Sequence, residues 1–197
     1  MTTPVQNVRA ALSAIVEQYQ QRGDVPRLLE QLITFAETSP TDGLLDAVEQ
    51  YREMHEVAGP IYEVLAERLP NDAMVLVKLA NAYWLTGRGP EVVGELASRA
   101  LAADPQNRGA WHLWALTETS PRQRTQRWQQ VTARFPDDQL AKANLADNAA
   151  ALAGAENDTV ALKLAIVTYE SLLESATSYA QRAALGSALK TLRNWKA

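Results

Sequence analysis

His55 and His112 are the only two imidazoles in the chain, and there is no cysteine. The histidines stand far apart in sequence. A hydrolytic triad needs a base oriented toward its nucleophile by a third group. No Gly-x-Ser-x-Gly turn, glycine-rich phosphate loop or zinc-binding helix motif accompanies either histidine. The lack of cysteine removes disulfides, thiolate metal sites and thiol nucleophiles together. Carboxylates are plentiful, but they are spread along polar helix faces as solvated charge. These residues predict no catalytic centre, no metal site and no cofactor, and the chain reads as a non-enzyme.

The remaining cluster with chemical character is Arg122, Arg124, Arg127 and Arg134, with Trp128 among them. A basic run of this kind reads first as a solvated helix face and second as a seat for an acidic partner. The balance elsewhere is acidic, with a formal charge of -4. Non-specific nucleic-acid binding rests on dense positive charge, so no nucleic acid is expected. Apolar residues make up 47% of the chain and charged residues 21%, enough apolar surface to offset chain entropy. The most apolar window, residues 149–155, is too short to cross a bilayer, so no membrane insertion is expected. Residues 1–7 lack a basic segment followed by an apolar one, and with the missing cysteines this points to the cytoplasm.

Helices must position whatever these residues do. Sustained polar–apolar alternation is absent, and Ala, Leu, Glu, Gln and Arg dominate. Apolar residues recur three and four apart, as in Leu12, Ile15, Val16 and Tyr19, and again in Leu28, Leu32 and Phe35. Four similar breakers punctuate the runs: Pro40-Thr-Asp, Pro70-Asn-Asp, Pro105-Gln-Asn and Pro136-Asp-Asp, at intervals of 30, 35 and 31 residues. Proline has no amide donor and ends the preceding helix. The Asp or Asn two positions later can cap the next one. Gly23, the Gly87-Arg88-Gly89-Pro90 stretch and Gly154 are expected to supply a tighter turn inside the units. Glu56-Val57-Ala58-Gly59 also returns 35 residues later as Glu91-Val92-Val93-Gly94. A period near 34 residues predicts units of two helices each.

These residues resemble the tetratricopeptide repeat. Leu76, Leu79-Ala80 and Tyr83 match its first helix, and Val93, Ala97, Ala100-Leu101 and Pro105 its second. Leu12, Ile15-Val16, Tyr19 and Gly23, followed by Leu28, Leu32, Phe35 and Pro40, match in the first unit; weaker matches begin at Trp111, Leu145 and Leu185, while residues 43–55 fit poorly and Pro60 falls where a helix interior is expected. The resemblance implies an all-α, antiparallel helix-pair solenoid of about ten or eleven helices. It forms a single repeat domain over residues 1–197, with units 8–42, 43–72, 73–107, 108–138 and 139–177. A capping helix follows over 178–195, with Arg182, Lys190, Arg193 and Lys196 as its polar outer face. Ala80, Ala97 and Ala100 are expected at a close helix crossing, with Leu79 and Tyr83 filling the space beside them.

The resemblance further implies a protein-interaction scaffold or adaptor that binds a protein or peptide on the concave face lined by first helices. Met74, Val77, Asn81 and Trp84 are the residues there not used for packing, and Glu17, His112, Asp147 and Lys190 point the same way in neighbouring units. Trp84 has a second reading, packing against the next unit. Chaperone-binding members hold a terminal carboxylate with a set of Lys and Asn. Only Asn81 matches here, with Lys78 and Asn144 shifted, so that partner is not expected. Trp195 either seals the last helix or docks on a second copy, which leaves homo-oligomeric assembly as the alternative role. An enzyme or small-molecule binder is the third and weakest reading.

Overall fold

The computed structural model describes residues 4–195; Lys196 lies outside them. Among the described residues there are eleven α-helices and no strand. They are α1 (Pro4–Arg22), α2 (Val25–Thr38), α3 (Thr41–Val48), α4 (His55–Arg68), α5 (Ala73–Leu85), α6 (Pro90–Ala103), α7 (Arg108–Leu116), α8 (Pro121–Arg134), α9 (Gln139–Glu156), α10 (Thr159–Ser175) and α11 (Tyr179–Arg193), with a 3-10 turn at Glu49–Tyr51. The chain divides into two compact units, Met1–Leu113 and Trp114–Ala197, with the boundary inside α7.

In the first unit α1 packs on α2 and on α3, α2 packs on α4, and α5 on both α4 and α6. Each helix buries one stripe. Leu28, Leu32, Phe35 and Ala36 do so on α2, and Val57, Ala58, Ile61, Tyr62 and Leu65 on α4. Ala80, Ala97 and Ala100 are fully buried where α5 and α6 meet, so small residues let the two backbones approach. Gly43 serves the same end between α1 and α3, because a Cβ there would stand 2.8 Å from Val8 Cγ2. Pro60 sits inside α4, where it removes one helical hydrogen bond. The apolar stripe that α4 buries around it holds the helix together.

In the second unit α8 packs on α9, α9 on α10, and α10 on α11. Ala149, Ala165 and Leu192 form one buried cluster, and Leu152, Ala153 and Ala161 another. Arg193 of α11 pairs with Glu170 at 2.5 Å, and its Arg182 donates to the Ala176 carbonyl at 2.9 Å.

The breakers separate α2 from α3, α4 from α5, α6 from α7 and α8 from α9. Asp72, Asn107 and Asp138 accept amide hydrogen bonds in the first turns of α5, α7 and α9. Asp42 does not: α3 starts directly after Pro40, which offers no side-chain cap, and Asp42 lies within its first turn. Gly23, Gly87 and Gly89 take positive φ at the turns α1/α2 and α5/α6. Gly154 does not make the α9/α10 turn. It stays helical, and Asn157 adopts the left-handed conformation (φ 52°) while Asp158 caps α10. An Asn at that position is tolerated because its short polar side chain suits the left-handed region.

Candidate interaction groove

The residues 43–55 that fit the repeat poorly help to build a groove beside α5. Arg52 and Glu53 follow the 3-10 turn, His55 and Tyr62 come from α4, and Lys78, Asn81, Ala82 and Leu85 come from α5. Together they line about 310 Å³. On α5 the spacing 74, 78, 81, 85 is one helical face. It places exposed apolar side chains at both ends, Met74 at 56% and Leu85 at 61%, with Lys78 and Asn81 between.

Lys78 forms an ion pair with Glu49, and its ammonium lies 5.8 Å from the Tyr62 ring centroid. Burial pulls the Lys78 ammonium below its ordinary value. Burial also pushes the Tyr62 phenol up to about 12, opposed by the nearby charge of Arg52. Arg52 donates to the adjacent Glu53 carboxylate at 3.2 Å. Asn81 is exposed, and among the described residues no hydrogen bond holds its amide. The groove thus presents a free donor and acceptor at Asn81, the Lys78–Glu49 and Arg52–Glu53 ion pairs beside it and an apolar side chain at the rim.

Of the residues singled out by resemblance, Met74, Asn81 and Trp84 share α5, with Trp84 at 37% exposure on the flank. Val77 does not face solvent. It is 7% exposed, because Gly109 of α7 brings that helix close: a Cβ at Gly109 would stand 3.0 Å from Val77 Cγ1. Glu17 is exposed on α1, and His112 is half-buried on α7. In the second unit Lys190 is exposed on α11, while Asp147 accepts a hydrogen bond from the Tyr169 hydroxyl and is already engaged. Lys78, His55, Arg52 and Leu85 complete the groove and lie outside the expected set. The i, i+7 spacing from Lys78 could have picked out Leu85; nothing in the local sequence points to Arg52 or His55.

The arginine run is not an open basic patch. Arg122 pairs with Glu156 at 2.5 Å and Asp158 at 2.9 Å. Arg124 donates to Asn148 at 2.7 Å. Arg127 meets Glu118 at 2.7 Å, donates to the Trp114 carbonyl at 2.6 Å and lies 4.4 Å from the Trp114 ring centroid. Their spacing fans them around α8, so each reaches a different internal acceptor. Arg134 is exposed near the end of that helix. Among the described residues no group of three or more His, Asp or Glu is placed to hold a metal, and no helix is long and apolar enough to cross a membrane.

No protein-family model matches the chain, and no curated protein does. Solved structures do. TTC0263, a thermophilic tetratricopeptide-repeat protein of Thermus thermophilus, superposes with a TM-score of 0.59 at 16% identity over 92% of this chain and 98% of that one. The chain has the tetratricopeptide-repeat fold. PilF of Pseudomonas aeruginosa gives a TM-score of 0.63 at 16% identity, over 96% of this chain and 86% of that one. YrrB, described as a tetratricopeptide-repeat protein with an unusual peptide-binding site, gives 0.54 at 16% identity over 77% and 81%.

Proposed function

We propose that this protein is an interaction scaffold that receives a peptide segment in the groove of Arg52, Tyr62, Lys78, Asn81 and Leu85. The observation that carries this reading is the free Asn81 amide. Every peptide unit offers one donor and one acceptor, and an Asn side chain offers the complementary pair. Leu85 gives an aliphatic side chain of the same segment a contact, and Arg52 and Lys78, each already paired with a carboxylate, leave the groove without a preference for the segment's charge. YrrB, of the same fold, carries a peptide-binding site, which supports the general mode though not its residues.

The test is capture from source lysate with wild type and Asn81→Ala/Leu85→Ser, both checked for helix content. The reading expects a partner retained by wild type and lost from the double variant. Equal retention would place binding elsewhere.

A second reading, self-association, rests on one observation. Val25, Leu29 and Ile33 repeat four residues apart on α2 and are exposed, forming an apolar stripe that none of the described residues covers. Sedimentation over a range of concentrations tests it. A mass that rises in wild type and stays monomeric in Leu29→Ser supports assembly through α2, and a constant monomer removes it.

A further inference from the structure

The opposite side of α5 carries a second groove of different character. It holds about 440 Å³ between α4 and α6. Leu79 and Leu96 floor it, and Val92 forms a wall at 44% exposure. Three carboxylates line it, Glu63, Glu67 and Glu95, against the single guanidinium of Arg99.

Two of these charges are occupied. Glu63 accepts from the Tyr83 hydroxyl at 2.8 Å and lies 3.5 Å from Arg88, and Arg99 donates to the Pro70 carbonyl at 3.2 Å. Glu67 and Glu95 have neither hydrogen bond nor ion pair among the described residues. Unpaired carboxylates at the lip of an apolar trough constrain what can lie there. A wholly apolar segment would strip water from them without compensation. A wholly polar cationic segment would leave Val92 and the leucine floor uncovered. A lysine or arginine beside an aliphatic residue meets both demands, since its methylene stem covers apolar surface while its head reaches a carboxylate.

We infer that the α4–α6 groove is a second docking surface, for a partner segment that pairs a Lys or Arg with an aliphatic side chain. Leu79 and Tyr83 face this groove, whereas Lys78, Asn81 and Leu85 face the other, about half a turn away around α5. The two surfaces are therefore separable by mutation, and this one stands whether or not a peptide binds at Asn81.

The experiment uses the full chain and two end-blocked, fluorescently labelled pentapeptides, Leu-Arg-Leu-Arg-Leu and Leu-Glu-Leu-Glu-Leu, read by anisotropy. The cationic peptide should bind, more weakly as salt rises, and any binding of the acidic one should survive Glu67→Gln/Glu95→Gln and be lost in Asn81→Ala. Glu67→Gln/Glu95→Gln should weaken binding of the cationic peptide by about fivefold or more, and Val92→Ser should weaken it at unchanged salt dependence. Asn81→Ala should leave it unchanged. All of these positions are exposed, so circular dichroism should match wild type. Failure of the cationic peptide to bind at millimolar concentration would overturn the inference. So would binding of the cationic peptide that survives Glu67→Gln/Glu95→Gln or is lost in Asn81→Ala.

Discussion

The indole of Trp195 occupies the space where residue 154 would otherwise carry a side chain. A Cβ at Gly154 would stand 2.7 Å from Trp195 Cη2, closer than two carbons can approach. Trp195 therefore lies over the end of α9 and the turn into α10, beside Ala153, Asn157 and Leu162. From the sequence Trp195 is expected to seal the last helix or to dock on a second copy; within the protein it packs on α9 at Gly154, with 36% of its surface still exposed.

This contact makes the effect of Gly154→Ala depend on Trp195. Alanine in a helix interior gains about 0.5–1 kcal/mol over glycine. In wild type that gain is opposed by displacing the ring, so the net effect on urea unfolding should be near zero or destabilising, with a change in tryptophan emission. In a Trp195→Ala background the full stabilisation should appear. Equal effects in the two backgrounds would mean that the indole does not rest on Gly154.

Arg68 closes the end of α2. Its guanidinium donates to the carbonyls of Ala36, Glu37 and Ser39 at 2.9, 2.8 and 2.8 Å. These are acceptors that a helix C-terminus leaves without partners, and a cation there also meets the negative end of the helix dipole. Arg68→Ala should cost about 1–3 kcal/mol in chemical denaturation. Arg68→Lys should recover only part, because an ammonium lacks the planar fork.

Two of the three Asp caps expected from the breakers, Asp72 and Asp42, should respond differently. Asp72→Ala removes the acceptor for the Met74 and Val75 amides and should cost about 1 kcal/mol. Asp42→Ala removes no cap and should fall within about 0.5 kcal/mol of wild type. Thermal midpoints of the two variants, measured side by side, check this.

Alkaline pH should destabilise the first unit through two phenols. Burial pushes Tyr62 up to about 12, and burial together with the Glu63 carboxylate pushes Tyr83 to about 12, both from 10.0. A raised phenol pKa means that the folded state holds its proton more tightly than the unfolded state does. The associated stability is complete below pH 10 and is lost as pH climbs toward 12. Denaturation midpoints should fall across that window in wild type and fall less in Tyr62→Phe/Tyr83→Phe. Identical profiles would show that neither phenol is linked to folding.

Local rules determined much of this molecule from residues alone. Pro40, Pro70, Pro105 and Pro136 end helices because proline lacks an amide, and Asp72, Asn107 and Asp138 start the next ones because their side chains supply an acceptor. Apolar stripes at helical spacing forced the helices to pack, and alanines set how closely α5 and α6 approach. Each of these effects acts within a few residues or follows one helix face, so the chain order carries it.

The tertiary structure decided whatever depends on residues distant in sequence. Val77 left the open face because Gly109 brings α7 against it. The arginines of α8 ceased to be a patch because Glu118, Asn148, Glu156 and Asp158 reach them from other elements. Gly154 was needed by Trp195 and not by a turn. The groove at Asn81 exists because the turn at Arg52–His55 and the ring of Tyr62 stand across from α5. A contact between side chains far apart along the chain depends on the packing of every intervening helix, and no local spacing encodes it.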